Sequence, residues 1–533
     1  MEAVIELRDL TFSFEAADTP ILRRVNLRFE AGEFALICGP TGSGKSTLLA
    51  AINGLIPHFS SGQISGQVII NGTDMSGKKP REFAEQVGYV NQGPEVAFVA
   101  HTVAEELAFG MEQLGFAPES MIRKVAEVAR QFSLSDFLEK PLHELSGGQQ
   151  QRVAMAASLA AGQRILLLDE PTSSLDPDAA AELLALLRTL ATEQGITILL
   201  VEHRIERVLE ITDSVTVVSG DGSALKAYKR QGLDPVLRSY RMVPPLLELG
   251  QTLGWSPLPL SINEAKKRWQ ENPGLIHALE LAKPEHTALS VENLEVCYGA
   301  RSILENLSLE IRSGEITCLL GSNGSGKTTL LLAIQGALIS SGKVTLLPEQ
   351  VAPQELKPSE LIKHLAMVPQ AASDLLVLTS VSKELEASDL QSSLAPGTTG
   401  NLFAKLAGRI NPNRHPRDLS AGQQLALVLA IQLSKGAKIL LLDEPTRGLD
   451  YQSKRVLAGQ LALLKAGGSA VFVASNDVEF VALVADRVLN IAHGQILQED
   501  SAPSVLSELG RHAPQLYQIT QQAIRLEQIE AKQ

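Results

Sequence analysis

The chain has 533 residues, 44% hydrophobic and 20% charged, with a formal net charge of −13. That length holds several domains' worth of chain and ample core. The acidic balance argues against a broad nucleic-acid-binding surface, which needs clustered Lys and Arg. Three cysteines (Cys38, Cys297 and Cys318) are too few and too scattered for a disulfide framework or a thiolate metal site, and they read as core residues. The opening MEAVIELRDL reads as a first strand, not a signal peptide, and no apolar run reaches the roughly 18 residues that cross a bilayer. The expectation is a soluble, cytoplasmic chain that meets a membrane only through a partner.

In chain order, AVIELRDLTFSF reads as a strand of an antiparallel β subdomain. A further strand then runs into GPTGSGKST, which is Gly39, Pro40, Thr41, Gly42, Ser43, Gly44, Lys45, Ser46 and Thr47. The glycines remove Cβ atoms so that backbone N–H groups curl round phosphate oxygens, and the next helix points its positive end at the same anion. In that pattern Lys45 reaches the β- and γ-phosphates and Ser46 holds Mg²⁺. An LSGGQ element follows, with an Ala-rich helix after it. The apolar strand of RILLLDEP ends in Asp169, placed to complete the Mg²⁺ shell through water, and Glu170, placed to polarise an attacking water. Another apolar strand, ITILLVEH, ends at His203. The stretch MVPPLLELGQTLGWSPLPLSINEAKKRWQENPG mixes Pro, Gly and short helical pieces, and reads as a C-terminal appendage of the first unit plus a connector.

The same order then returns. ALSVENLEVCY matches the opening strand, and GSNGSGKTT supplies Gly321, Ser322, Asn323, Gly324, Ser325, Gly326, Lys327, Thr328 and Thr329. LSAGQ stands for LSGGQ, KILLLDEPTRGLD carries Asp443 and Glu444, and VFVASN ends at Asn476 where the first copy has histidine. One domain is duplicated and fused: 3–240 and 286–528, with 241–285 between them. Strands alternating with helices imply a mostly parallel sheet covered on both faces.

The phosphate loop, LSGGQ and LLLDEPTSSLD together resemble the ATP-binding subunits of ABC transporters, along nearly the whole chain and in two tandem copies. The resemblance implies an α/β fold of two P-loop ATPase domains, each a mostly parallel sheet with an antiparallel β subdomain and a helical subdomain. It implies that the two domains pair in cis, head to tail, and that each ATP with its Mg²⁺ lies between the phosphate loop of one and the LSxGQ element of the other. Site one then uses Gly39 to Ser46, Gln92, Asp169, Glu170 and His203, closed by Ser420, Gly422 and Gln423. Site two uses Gly321 to Thr328, Gln370, Asp443, Glu444 and Asn476, closed by Ser146, Gly147, Gly148 and Gln149. Each LSxGQ lies just before a helix, so its serine and backbone amides suit a γ-phosphate. Gln92 in VGYVNQ and Gln370 in LAMVPQ look like the family's glutamines that touch Mg²⁺ and link nucleotide state to a membrane partner. Phe14 and Tyr298 fall where the family places an aromatic against adenine.

His203 stands at the place of the family's switch histidine, which contacts the γ-phosphate. Asn476 is shorter and carries no charge. Loss of a donor aimed at transition-state charge typically lowers turnover roughly 10²–10³-fold, so the expectation is a hydrolysing site one and a slow site two. Ala421 and Leu425 depart from the first copy, and weaker closure of site one is expected from them.

Unit one also looks like energy-coupling-factor vitamin and metal importers, in NQGPEVAFVAHTVAEELAFG, LSGGQQQRVAMAASLA, EHRIERV and PPLLELGQTLGW. That likeness implies an integral membrane coupling protein and a separate substrate-binding membrane component as partners, no nucleic acid, and a place at the cytoplasmic face of the membrane. Glu95 is the candidate contact to a basic coupling helix. Two other readings stand beside it. One is a tandem ATPase of a monosaccharide importer, although those usually carry a degraded second phosphate loop. The other is a soluble translation or repair ATPase, although such translation factors carry a long charged linker.

Overall fold

The runs FALIC, ILLLD and TILLV of the first copy are buried at every position, as strands sandwiched between two helical layers must be. In this computed structural model they are central in a six-stranded sheet. Its order is Ala224–Tyr228, Ser214–Val218, Phe34–Cys38, Thr197–Val201, Ile165–Asp169, Val87–Val90, parallel throughout except for the first-named edge strand. The second copy repeats it as Gln495–Ser501, Arg487–Ala492, Ile316–Leu320, Ala470–Ser475, Ile439–Asp443, Leu365–Val368, again with one antiparallel edge. All residues are described except 1–2, 16–18, 92, 94–96, 174, 229–232, 240–242, 282–283, 285, 300, 409, 420 and 532–533.

Each unit carries an antiparallel sheet, built on Ala3–Phe14 in the first and Thr287–Tyr298 in the second. In both strands alternate residues are buried against the helix that follows the phosphate loop, so one apolar cluster joins the two sheets of a unit. The other face of the parallel sheet carries the helical part. Val103–Gln113 and Pro118–Gln131 pack with Gly147–Leu159 in the first unit, and Val381–Gln391 and Thr398–Ala407 pack with Ala421–Ser434 in the second. No helix among the described residues is long and apolar enough to cross a membrane.

The chain divides into Met1–Pro244 with Ser256–Ser261, and Pro245–Trp255 with Ile262–Gln533. The linker therefore differs from its reading as an appendage of the first copy: most of it folds as part of the second unit. Helices Pro245–Thr252 and Ile262–Glu271 pack against the terminal helix Gln515–Thr520, and Leu275–Ile276 pairs with Ile529–Glu530. Leu246, Leu247, Leu249 and Trp269 are buried there, and the apolar side chains outweigh sequence proximity in deciding where the segment docks. Glu248 on this segment pairs with Arg455 of the second unit.

Candidate functional site

Each phosphate loop leaves the end of a fully buried strand and enters a helix, Lys45–Ile52 or Lys327–Gln335. A Cβ on Gly39 would lie 2.1 Å from the carbonyl oxygen of Val218, and one on Gly321 would lie 2.6 Å from that of Ile491. Gly44 and Gly326 cap the helices at φ 100° and 105°, which an L side chain rarely adopts. Lys45 Nζ donates to the carbonyls of Gly39 at 3.0 Å and Pro40 at 2.9 Å, and Lys327 Nζ to those of Gly321 at 2.8 Å and Ser322 at 3.1 Å. Ser43 Oγ and Ser325 Oγ are buried without a partner, which suits loops that close on an anion. Pro40, Thr41 and Thr47 are half-buried while Gly42 and Ser46 are exposed; in the second loop Gly321 and Thr329 are half-buried while Ser322, Asn323, Gly324 and Thr328 are exposed.

The aspartates meet the loops at the next strand end. Thr328 Oγ1 donates to Asp443 Oδ2 at 2.7 Å, and the Ser46 hydroxyl lies close enough to Asp169 to favour its charged form. In both, Oδ1 is buried and has no partner. Burial pushes both carboxyls above the usual carboxylate range, with the hydroxyls acting against it. A hydroxyl beside a buried carboxylate oxygen that lacks a partner is a donor set that fits Mg²⁺.

The glutamates that follow share an unusual backbone. Glu170 has φ 50° and Glu444 φ 45°, a left-handed conformation costly for a non-glycine residue. Glu170 N donates to Val201 O at 3.0 Å and Glu444 N to Ala474 O at 2.9 Å, so each glutamate is tied to the neighbouring strand. Their side chains then differ. Glu170 Oε1 lies 2.9 Å from His203 Nε2, with both side chains nearly buried. Glu444 Oε1 lies 3.4 Å from Lys327 Nζ and its Oε2 accepts from the backbone N of Asn476 at 3.0 Å. The Asn476 amide reaches toward Asn323 Oδ1, at 3.5 Å. Burial raises the Glu444 carboxyl, and the nearby Lys327 acts against that rise.

Among the remaining expected residues, Ser146 caps the helix Gly147–Leu159 reciprocally with Gln149: Ser146 N donates to Gln149 Oε1 at 2.9 Å, and Gln149 N to Ser146 Oγ at 3.4 Å. Gly422 and Gln423 lie in the first turn of the matching helix, while Ser420 lies outside the described residues, as do Gln92 and Glu95. Gln370 is exposed just beyond Leu365–Val368. Phe14 and Tyr298 end the opening strands, 38% and 54% exposed. Gln151 is buried where the second copy has buried Leu425.

Sequence reasoning missed the residues flanking the switch position. Glu202, buried, accepts from Thr172 N at 3.0 Å and Thr172 Oγ1 at 2.6 Å. In the second unit Ser475 takes that place, and Asp477 forms a buried ion pair with Lys454 at 2.7 Å. The signal was the contrast of VEHR with ASND, together with a lysine in YQSK where the first copy has Ala180.

These two sites define the chain as a duplicated phosphate-loop ATPase. Residues 22–173 and 304–447 match the family described as ABC transporter. A protein of Streptomyces coelicolor described as a candidate ABC transporter ATP-binding protein is 38% identical, over 97% of this chain and 97% of its own. One of Methanosarcina mazei, described in the same words, is 31% identical over 95% of this chain and 90% of its own. The chain belongs to the ABC ATP-binding family, as a tandem member. Among solved structures, an archaeal ribosome recycling factor in complex with a ribosomal stalk protein shares the fold at 21% identity, with TM-score 0.59 over 94% of this chain and 92% of that one. An RNase-L inhibitor does so at 22% identity, with TM-score 0.58 and the same coverage.

Proposed function

We propose that the chain is an ATP-driven engine with unequal sites, in which the site of unit one hydrolyses and that of unit two chiefly binds. The contrast at the switch position carries this reading: Glu170 faces the His203 imidazole at 2.9 Å, whereas the Asn476 amide at the matching place reaches toward Asn323 Oδ1 at 3.5 Å. In unit one the loop amides and Lys45 hold the β- and γ-phosphates. Glu170 takes the proton of the attacking water, and His203 holds Glu170 in place and donates toward the γ-phosphate. Ser46 and Asp169 would hold Mg²⁺, which would offset charge on the transferring phosphoryl group. In unit two Asn476 stands where unit one has the imidazole. Closure of each nucleotide by the LSxGQ element of the other unit belongs to this reading and rests on the resemblance alone. The test is single-turnover hydrolysis with both sites filled: half of the bound ATP should be cleaved in a fast phase. Loss of both nucleotides at one rate overturns the asymmetry.

For what the engine drives, two readings stand. Energising import of a vitamin, precursor or metal ion through a membrane coupling protein and a substrate-binding membrane component is supported by the transporter wording of the relatives' descriptions. The likeness to energy-coupling-factor importers rests on the unit-one residues only. A soluble, non-transport ATPase is favoured by the solved structures, whose likeness spans both units and is one of fold. Affinity purification from solubilised membranes separates the two. Recovery of an integral membrane partner supports transport at the cytoplasmic face, and recovery with ribosomes and no membrane protein overturns it.

A further inference from the structure

Behind the reacting groups of unit one lies a carboxylate that the hydrolytic mechanism does not use. Glu202 directly precedes His203 and is 3% exposed. Its backbone N donates to Ile37 O, on the strand that feeds the phosphate loop. Its Oε1 accepts both donors of Thr172, two residues beyond Glu170. One residue therefore ties together three strand ends: the one leading to the phosphate loop, the one ending in Asp169 and Glu170, and the one leading to His203. Glu170 between them occupies a left-handed backbone conformation, which persists only where its surroundings over-determine it.

Unit two shows what the scaffold does without this tie. Glu444 keeps the same φ, yet Ser475 at the matching place turns its hydroxyl to Asp477 N at 3.0 Å, within its own loop. Thus the left-handed glutamate alone does not require the buried acid. The acid accompanies the unit in which glutamate and histidine meet.

We propose that Glu202 is a positioning residue of site one, anchoring the Thr172 turn to the His203 loop so that Glu170 and His203 stay within hydrogen-bonding distance through the turnover. Burial raises the Glu202 carboxyl, and Thr172 and Arg207 act against that rise. Glutamine, which keeps the acceptor oxygen, is accordingly a conservative copy. The proposal rests on the assignment of hydrolysis to site one.

The test is steady-state ATPase of the full chain carrying Glu202→Ser, Glu202→Gln, Thr172→Val or Glu170→Gln. Glu202→Ser, which copies unit two, should lower kcat at least tenfold with KM for ATP within about twofold. Glu202→Gln should restore kcat to within about threefold of the parent. Thr172→Val, which keeps the side-chain volume, should lower kcat severalfold, and combining it with Glu202→Ser should add nothing further. Unchanged kcat in Glu202→Ser, with Glu170→Gln inactive, overturns the positioning role alone. So does a joint loss of kcat, nucleotide affinity and thermal midpoint that glutamine fails to rescue. Parental turnover in both Glu202→Ser and Glu170→Gln shows that the site-one assignment itself is wrong, and the proposal falls with it.

Discussion

The two carboxylate sites are one backbone furnished twice. Glu170 and Glu444 differ in φ by only a few degrees, and each is tied by its N–H to the adjacent strand. Around that shared frame the side chains have been exchanged. Unit one surrounds its glutamate with His203 and supports the loop through Glu202 and Thr172. Unit two has Asn476 in place of the histidine and Ser475 in place of the buried acid, and supports the loop through Lys454 and Asp477. The backbone that aims a carboxylate is thus separable from the side chains that surround it. A site can keep the first and change the second.

The strongest way to break the comparison is to remove each carboxylate in turn. Glu170→Gln should lower steady-state ATPase about 10³-fold, the usual contribution of a general base. Glu444→Gln should leave it within about twofold. The reverse ranking would assign hydrolysis to unit two and make Asn476 sufficient.

A second large effect is expected on stability. Lys454 and Asp477 are both buried, and Asp477 also accepts from Phe480 N as the cap of the next helix. Lys454→Ala breaks this buried ion pair and should cost about 3 kcal/mol, seen as an earlier unfolding transition of unit two in denaturant. Ala180 occupies the matching place in unit one, so Ala180→Lys offers no new pair there and should not stabilise it. A transition unmoved by Lys454→Ala would mean that the loop of unit two is held by backbone contacts alone.

Sharpening the comparison further, Asn476→His in a Glu170→Gln background should raise residual turnover about tenfold, measured as phosphate release. The imidazole supplies the missing donor, but Ser475 and the Lys454–Asp477 pair still fix the loop in the pattern of unit two. No gain would place the difference elsewhere, and a return to parental turnover would leave Glu202 with nothing to explain.

How much of this was legible beforehand depends on whether a residue acts locally or through a distant partner. The phosphate loops, Asp169 and Asp443, and the glutamates were legible because strand, glycine turn and helix are adjacent in sequence and the chemistry fixes their spacing. The parallel sheets followed from apolar runs such as ILLLD. The docking of Pro245–Trp255 on the second unit was not legible, since its partner is the helix Gln515–Thr520, more than 250 residues away, and the Gln515 side chain accepts from Leu246 N. Nor was the Thr172–Glu202 tie, which spans 30 residues and joins two types that look ordinary alone. The same holds for the buried charges behind the phosphate-loop strands. Glu33 is met by Lys226 from an edge strand, whereas its counterpart Glu315 is met by Arg487 from an inner one. The cation moved between strands while the carboxylate stayed, and no local motif records the exchange.

The smallest expected effect tests the ends of the opening strands. Tyr298 is 54% exposed, whereas Phe14 is 38% exposed and stands edge-on to the buried Phe12, with ring centroids 4.9 Å apart. If both aromatics meet adenine, Tyr298→Ala and Phe14→Ala should each weaken nucleotide binding by about fivefold, the order of a single ring contact. Only Phe14→Ala should also lower stability, by about 1 kcal/mol for the lost edge contact. A fluorescent ATP analogue titrated against each variant, with the denaturation midpoint measured alongside, separates the two roles. Unchanged affinity with a lowered midpoint in Phe14→Ala would make Phe14 a core residue and leave Tyr298 as the one base-facing ring, an asymmetry in binding set beside the one proposed for hydrolysis.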